Sequence, residues 1–139
     1  MKILVPIDGS PASIRALKLA IAQFPKADFL LVNIQNTQTL HLSGGGGIMP
    51  LDWIEQEEER ATQKAFREAI AVCAEAGVSY ETRPERGAIA ATIDRVARED
   101  QVTQIFMGTR GLGGVRGLVL GSVTTQLLHL ADVPVTLVK

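Results

Sequence analysis

The sequence predicts an α/β sandwich: a five-stranded parallel sheet with helices on both faces. Two observations carry that expectation. Short apolar runs of strand length alternate with segments whose apolar residues recur every three or four positions. Several of the short runs are nearly continuous in Val, Ile, Leu and Phe, as strands buried on both faces should be. Strands that alternate with helices imply right-handed crossovers and a parallel sheet covered on both sides.

The first strand is expected over residues 3–7. Ser10 and Pro11 open the first helix, Ser10 placed to cap and Pro11 at the first helical position. Its apolar face is Ile14, Leu17, Ile21 and Phe24, and Pro25 stops it. The second strand follows over residues 29–34. A second helix is expected over about residues 52–76, with Ile54, Ala61, Ala65, Ala69 and Cys73 on one stripe and Gly77 as its C-terminal stop. Residues 78–83 alternate more, as an edge strand does. The third helix, residues 88–99, carries Ile89, Ile93 and Val96. Residues 105–107 form the fourth strand, about 122–130 the last helix, and 135–138 the last strand. Neither a repeat nor an interdomain linker interrupts this order, so residues 1–139 are read as one domain. Residues 36–50, with four glycines at Gly44 to Gly47, are expected to be a flexible loop.

Composition excludes several function classes. The chain has 139 residues, 46% hydrophobic and 21% charged, ordinary for a globular domain. Lys+Arg number 14 against 15 Asp+Glu, a net charge of -1, which offers no basic footprint for nucleic acid and no polybasic membrane patch. Apolar runs fall well short of the roughly 20 residues that a membrane span requires. The opening residues lack the apolar core and cleavage site of a secretory signal, so a soluble cytoplasmic protein is expected. Cys73 stands alone, which rules out an internal disulfide or a thiolate metal cluster and reads as packing. His41 and His129 have no partner at a useful spacing. Glu55, Glu57, Glu58 and Glu59 are expected to complement the dipole of the second helix, and Trp53 to anchor that helix to the sheet.

The stretch 108–122 carries the chemistry. It contains Gly108, Gly111, Gly113, Gly114, Gly117 and Gly121, leaves the fourth strand, and ends by opening a helix at Ser122. Glycine permits positive φ and close approach of a ligand to the amides. A helix N-terminus adds free N–H groups and the positive end of the dipole, an anion site whose usual occupant is phosphate. Arg110 and Arg116 are placed to add charge. Asp8, Gly9 and Ser10 stand at the carboxyl end of the first strand, where an open parallel sheet binds its ligands. Asp8 is read either as a turn-former or as an acceptor for ribose or base. Together the two features imply a nucleotide. No Gly-Lys-Ser/Thr occurs, and the turn after the first strand is not a dinucleotide fingerprint.

The spacing Gly108, two residues, Gly111, nine residues, Gly121-Ser122 resembles the nucleotide signature of the universal stress protein family. The opening through Asp8, the stretch Arg86-Gly87-Ala88-Ile89 and the ending Val133-Pro134-Val135 are similar to other landmarks of that family, so the resemblance spans the chain. It implies strand order 3-2-1-4-5, the adenine-nucleotide α-hydrolase-like fold and the ATP-binding subclass. It further implies nucleotide contacts from Pro6, Ile7, Asp8, Ile34, Met107, Gly108, Arg110, Gly111, Gly121, Ser122, Val123 and Thr124. ATP, with AMP or ADP as alternatives, would bring Mg or Mn through its phosphates rather than through protein ligands. A homodimer through residues 135–138 is implied as well. Asn33 stands where the family frequently has histidine. The function expected is a nucleotide-responsive regulatory module in a stress response, acting on an unidentified protein partner. A slow ATPase or self-phosphorylating enzyme without a dedicated catalytic base, and a nucleotide-independent dimeric adaptor, stand as alternatives.

Overall fold

The computed structural model describes residues 1–36, 50–109 and 121–139. The elements run β1 (Lys2–Pro6), α1 (Pro11–Gln23), β2 (Asp28–Gln35), α2 (Leu51–Ala76), β3 (Ser79–Arg86), α3 (Ile89–Glu99), β4 (Gln104–Gly108), α4 (Ser122–Leu130) and β5 (Val135–Val138). All strand pairs are parallel, in the order β3-β2-β1-β4-β5. The expected order 3-2-1-4-5 is therefore the observed one.

Alternation of side chains along each strand divides the core in two. Ile3, Val5, Phe29, Leu31 and Phe106 face α1 and α2, meeting Ile14, Leu17, Ala20, Ala65, Phe66, Ala69 and Cys73. Phe24 closes this layer edge-on to Phe106, ring centres 6.1 Å apart. Leu4, Leu30, Val32, Ile105 and Met107 face the other way, against Ala90, Ile93, Val96 and Ala97 of α3 and Leu127 of α4. Strands covered on both faces are the reason their sequences run apolar without a break.

Local signals set the helix ends. Ser10 caps α1, its Oγ accepting from Ser13 N–H at 3.2 Å, with Pro11 in the first turn. Gly77 ends α2 in the left-handed region at φ +68°, where a side chain would be strained.

Three expectations need correction. β3 does not end at residue 83 but reaches Arg86, pairing in register with β2 up to Gln35↔Arg86. Pro84 lies within this extension, and on an edge strand its missing donor faces outward and costs no ladder bond. Trp53 does not anchor α2: it is 43% exposed and belongs to neither core. The buried apolar face of α2 also begins later than the stripe implied, at Ala65, while Ala61 is exposed and the one buried residue before Ala65 is Glu58. The glycine run 44–47 and His41 lie outside the described residues.

Candidate functional site

β1 ends at Pro6, and the chain turns through Ile7 and Asp8 into α1. Asp8 Oδ1 accepts the Ser10 N–H at 2.9 Å, and Gly9 sits at φ +81°, so this turn demands a glycine. Asp8 is thus a turn-former through one oxygen, and its exposed carboxylate lines a cavity beside the turn.

β2 extends past β1. The β1–β2 register runs to Pro6↔Val32, and Ile7 N–H makes one more bond to Val32 C=O at 2.8 Å. Backbone groups alternate sides along a strand. Two residues on, Ile34 turns its N–H and C=O to the side where β1 has already ended. Asn33, 3% exposed, donates through Nδ2 to Ile7 C=O at 2.7 Å. Its Oδ1 accepts from Gln35 Nε2 at 2.8 Å and Thr62 Oγ1 at 3.2 Å.

β4 brings Met107, Gly108 and Thr109 to the same end of the sheet. Neither Gly108 nor Gly121 has positive φ, so conformation does not explain these two glycines. Packing explains Gly108. A Cβ there would stand 2.7 Å from the Ala12 carbonyl carbon and 2.8 Å from its oxygen, inside the first turn of α1. A Cβ on Gly121 would meet nothing within 4 Å.

α4 opens at Gly121 without a side-chain cap. Thr125 spends both its N–H and its Oγ on Gly121 C=O, at 3.0 and 3.1 Å, which fixes the first turn. The leading N–H groups of Ser122, Val123 and Thr124 are those a helix leaves unpaired, and the dipole adds positive potential there.

These parts enclose a cavity of about 600 Å³. Ten of the residues expected from sequence line it: Pro6, Ile7, Asp8, Ile34, Met107, Gly108, Gly121, Ser122, Val123 and Thr124. Arg110 and Gly111, and Arg116 with them, lie outside the described residues. Asn33, Gln35, Ala61, Ala65, Ile89 and Thr109 also line it and were not anticipated as site residues. Asn33 carried the one available signal, a polar residue inside a strand that is otherwise apolar and buried.

A second cleft, about 810 Å³, lies beyond Gln35 between α2 and the end of β3. Glu58, 3% exposed, sits there with Oε2 2.6 Å from Arg86 Nε, a charge contact without an aligned hydrogen bond. The helix-dipole account of the acidic run does not extend to Glu58, which is two turns into α2 and buried, because the dipole acts within the first turn.

Other charges are structural. Arg83 binds Glu85, Glu99 and Asp100 at 2.8, 2.5 and 2.6 Å, and Arg95 binds Glu85 and Glu99. Burial alone would raise the Glu85 carboxyl, but hydrogen bonds from Arg95 and Arg83 outweigh it and hold it below its ordinary value. The same two guanidinium groups hold Glu99 down. Burial pushes the Cys73 thiol up to about 11, consistent with the packing role expected for it. His129 is exposed near the end of α4.

Comparison with known proteins matches residues 1–139 to the universal stress protein family model. The chain belongs to the universal stress protein family. It is similar to universal stress protein YxiE of Bacillus subtilis, 32% identical over 145 residues, covering 99% of this chain and 98% of the relative. Its fold is similar to that of a universal stress protein family protein from Arabidopsis thaliana with AMP bound, at TM-score 0.70 and 17% identity, covering 100% and 91% of the two chains. It is likewise similar to the universal stress protein from Archaeoglobus fulgidus in complex with dAMP, at TM-score 0.69 and 22% identity, covering 100% and 98%. In this universal stress protein the family's landmarks fall on distinct tasks. Gly108 lets α1 pack on β4, Gly121 stands at the N-cap of α4 beside the cavity, and Gly87, at φ +131°, turns the chain from β3 into α3.

Proposed function

We propose that this chain is an adenine-nucleotide-binding regulatory module of the stress response, with ATP as its ligand. The observation that carries the proposal is the polarity of the cavity. One end is the uncapped N-terminus of α4, suited to phosphate, and the other is the free backbone edge of Ile34, suited to a base. Asp8 stands between them on the wall, placed to accept from ribose hydroxyls. A volume of about 600 Å³ lies within the usual range for small-molecule sites. Relatives of the same fold hold AMP and dAMP, which supports an adenine ligand. Among the described residues no three His, Cys, Asp or Glu side chains are grouped to hold a metal. In this reading Mg or Mn comes with the phosphates. The phosphates meet the N-terminus of α4, and α4 leads within a few residues to β5, through which a homodimer forms and a protein partner senses the bound state.

Gly121→Val tests the site. Because no described atom lies within 4 Å of a Cβ at that position, the fold should survive while the valine obstructs the phosphate end. Calorimetric titration should give ATP binding to the parent and at least about a tenfold loss in the variant, one hydrogen-bonded charge contact's worth. Equal affinity in the two proteins would show that phosphate binds elsewhere.

A further inference from the structure

We infer that Gln35, held in one orientation by a buried amide relay, makes the base end of the cavity selective for a purine with a 6-amino group. This rests on the nucleotide reading above and deepens it.

The relay starts at a group that can only accept. Ile7 C=O takes a hydrogen bond at 2.7 Å from Asn33, so the Asn33 side chain must present its NH₂ there. Asn33 is 3% exposed and cannot turn over without setting its oxygen against that carbonyl. Its Oδ1 therefore points the other way, 3.2 Å from the Thr62 hydroxyl, which can donate to it. Gln35, 2.8 Å from the same Oδ1, must in turn offer its own NH₂. Reversing Gln35 would bring two amide oxygens together at that distance. Its Oε1 is thus left as the acceptor, and among the described residues no side chain donates to it.

Gln35 lines the cavity beside Ile34, at the end away from α4. An exocyclic amine carries two hydrogens. The carbonyl of Ile34 can take one and Gln35 Oε1 the other, while the Ile34 N–H faces the ring nitrogen next to the amine. A 6-keto purine reverses this pattern and brings an oxygen against two acceptors. The preference follows from the fixed direction of the amides, because a freely rotating glutamine would satisfy either base.

The test compares AMP, IMP and purine riboside 5′-monophosphate, which has hydrogen at position 6, by calorimetric titration on the parent and Gln35→Leu. The parent should bind AMP more tightly than both others. Gln35→Leu should reduce the AMP-to-IMP preference about fivefold to tenfold, the loss of one hydrogen bond and of one acceptor clash. Thr62→Val, which leaves the Gln35–Asn33 bond in place, should keep the parent's preference and shows whether loosening α2 alone has the same effect. An unchanged preference in Gln35→Leu, or an equal drop in Thr62→Val, would overturn the inference while leaving nucleotide binding intact. Failure of the folded parent to bind any of the three would instead remove the nucleotide reading on which it rests.

Discussion

Gly108→Ala adds one methyl group, and its effect can be worked out from three distances. The new Cβ would lie 2.7 Å from the Ala12 carbonyl carbon, 2.8 Å from its oxygen and 2.9 Å from its Cβ. Carbon atoms in contact sit about 3.5 to 4.0 Å apart, so α1 and β4 would have to separate by roughly 1 Å. The obstacle is mostly backbone, and that backbone is held by the Ser10 cap and by Ala16 and Leu17 in the core. Overpacking of this kind costs about 1–3 kcal/mol, and a backbone obstacle places this substitution in the upper half, about 2–3 kcal/mol. For a domain of this length that corresponds to a fall in Tm of about 6–15 °C. Displacing the start of α1 also displaces the Asp8–Ser10 turn, so nucleotide affinity should fall with stability. Scanning calorimetry reads the first effect and titration the second. Gly121→Ala serves as control, since its Cβ meets nothing, and should cost no more than about 1 kcal/mol. If Gly108→Ala melts within about 2 °C of the parent, the contact yields easily and packing does not account for the glycine.

Other expectations follow from the same geometry. If the proposed homodimer forms through β5, Val135→Pro should shift it to monomer in sedimentation: Pro134 C=O accepts from Ile105 N–H and Val138 C=O from Thr109 N–H, so the alternate Val135 N–H faces away from β4. An unchanged dimer would place the interface elsewhere. Glu85 and Glu99 are held below their ordinary value of 4.5, so the stability they contribute is complete above that pH and disappears as pH falls through their folded values. Tm should therefore drop on acidification below pH 4.5, and Arg83→Met should make that drop shallower; an identical acid profile in the variant would argue against the network. Cys73, buried and pushed up to about 11, should resist a disulfide reagent at pH 8 until denaturant is added. Rapid labelling of the native protein would contradict its burial.

Much of this architecture was legible because strand and helix periodicities are local. The bounds of α4 and β5 fall where the sequence places them, and the expected site residues that are described converge on one cavity. What could not be seen depends on register or on packing between distant elements. Asn33 stands out as polar in an apolar strand, but its relay needs β1 beside β2 and Thr62 of α2 above them. The reason for Gly108 lies with Ala12, far back along the chain, and not with its own dihedrals. Glu58 looked like one more acid at a helix start until α2 packed it against Arg86 of β3. The continuation of β3 through Pro84 to Arg86 depends on the strand lying at an edge, where proline is harmless, and an edge is a property of the whole sheet.

The two outer strands differ in a way that governs how the protein can assemble. Gly87 N–H bonds Gln35 C=O, so by alternation the proline nitrogen at Pro84 faces outward, where it has no hydrogen to offer a newcomer. That strand also carries Arg83, Glu85 and Arg86, already tied into ion pairs. The opposite strand reads Val-Thr-Leu-Val and has neither charge nor proline. Among the described residues, strand addition is therefore hindered at the β3 edge and unobstructed by charge or proline at the β5 edge. Were the proposed homodimer to form through β5, its two copies would be related by a two-fold axis and leave only the β3 edges outward, so strand addition would close at two and not continue into a filament.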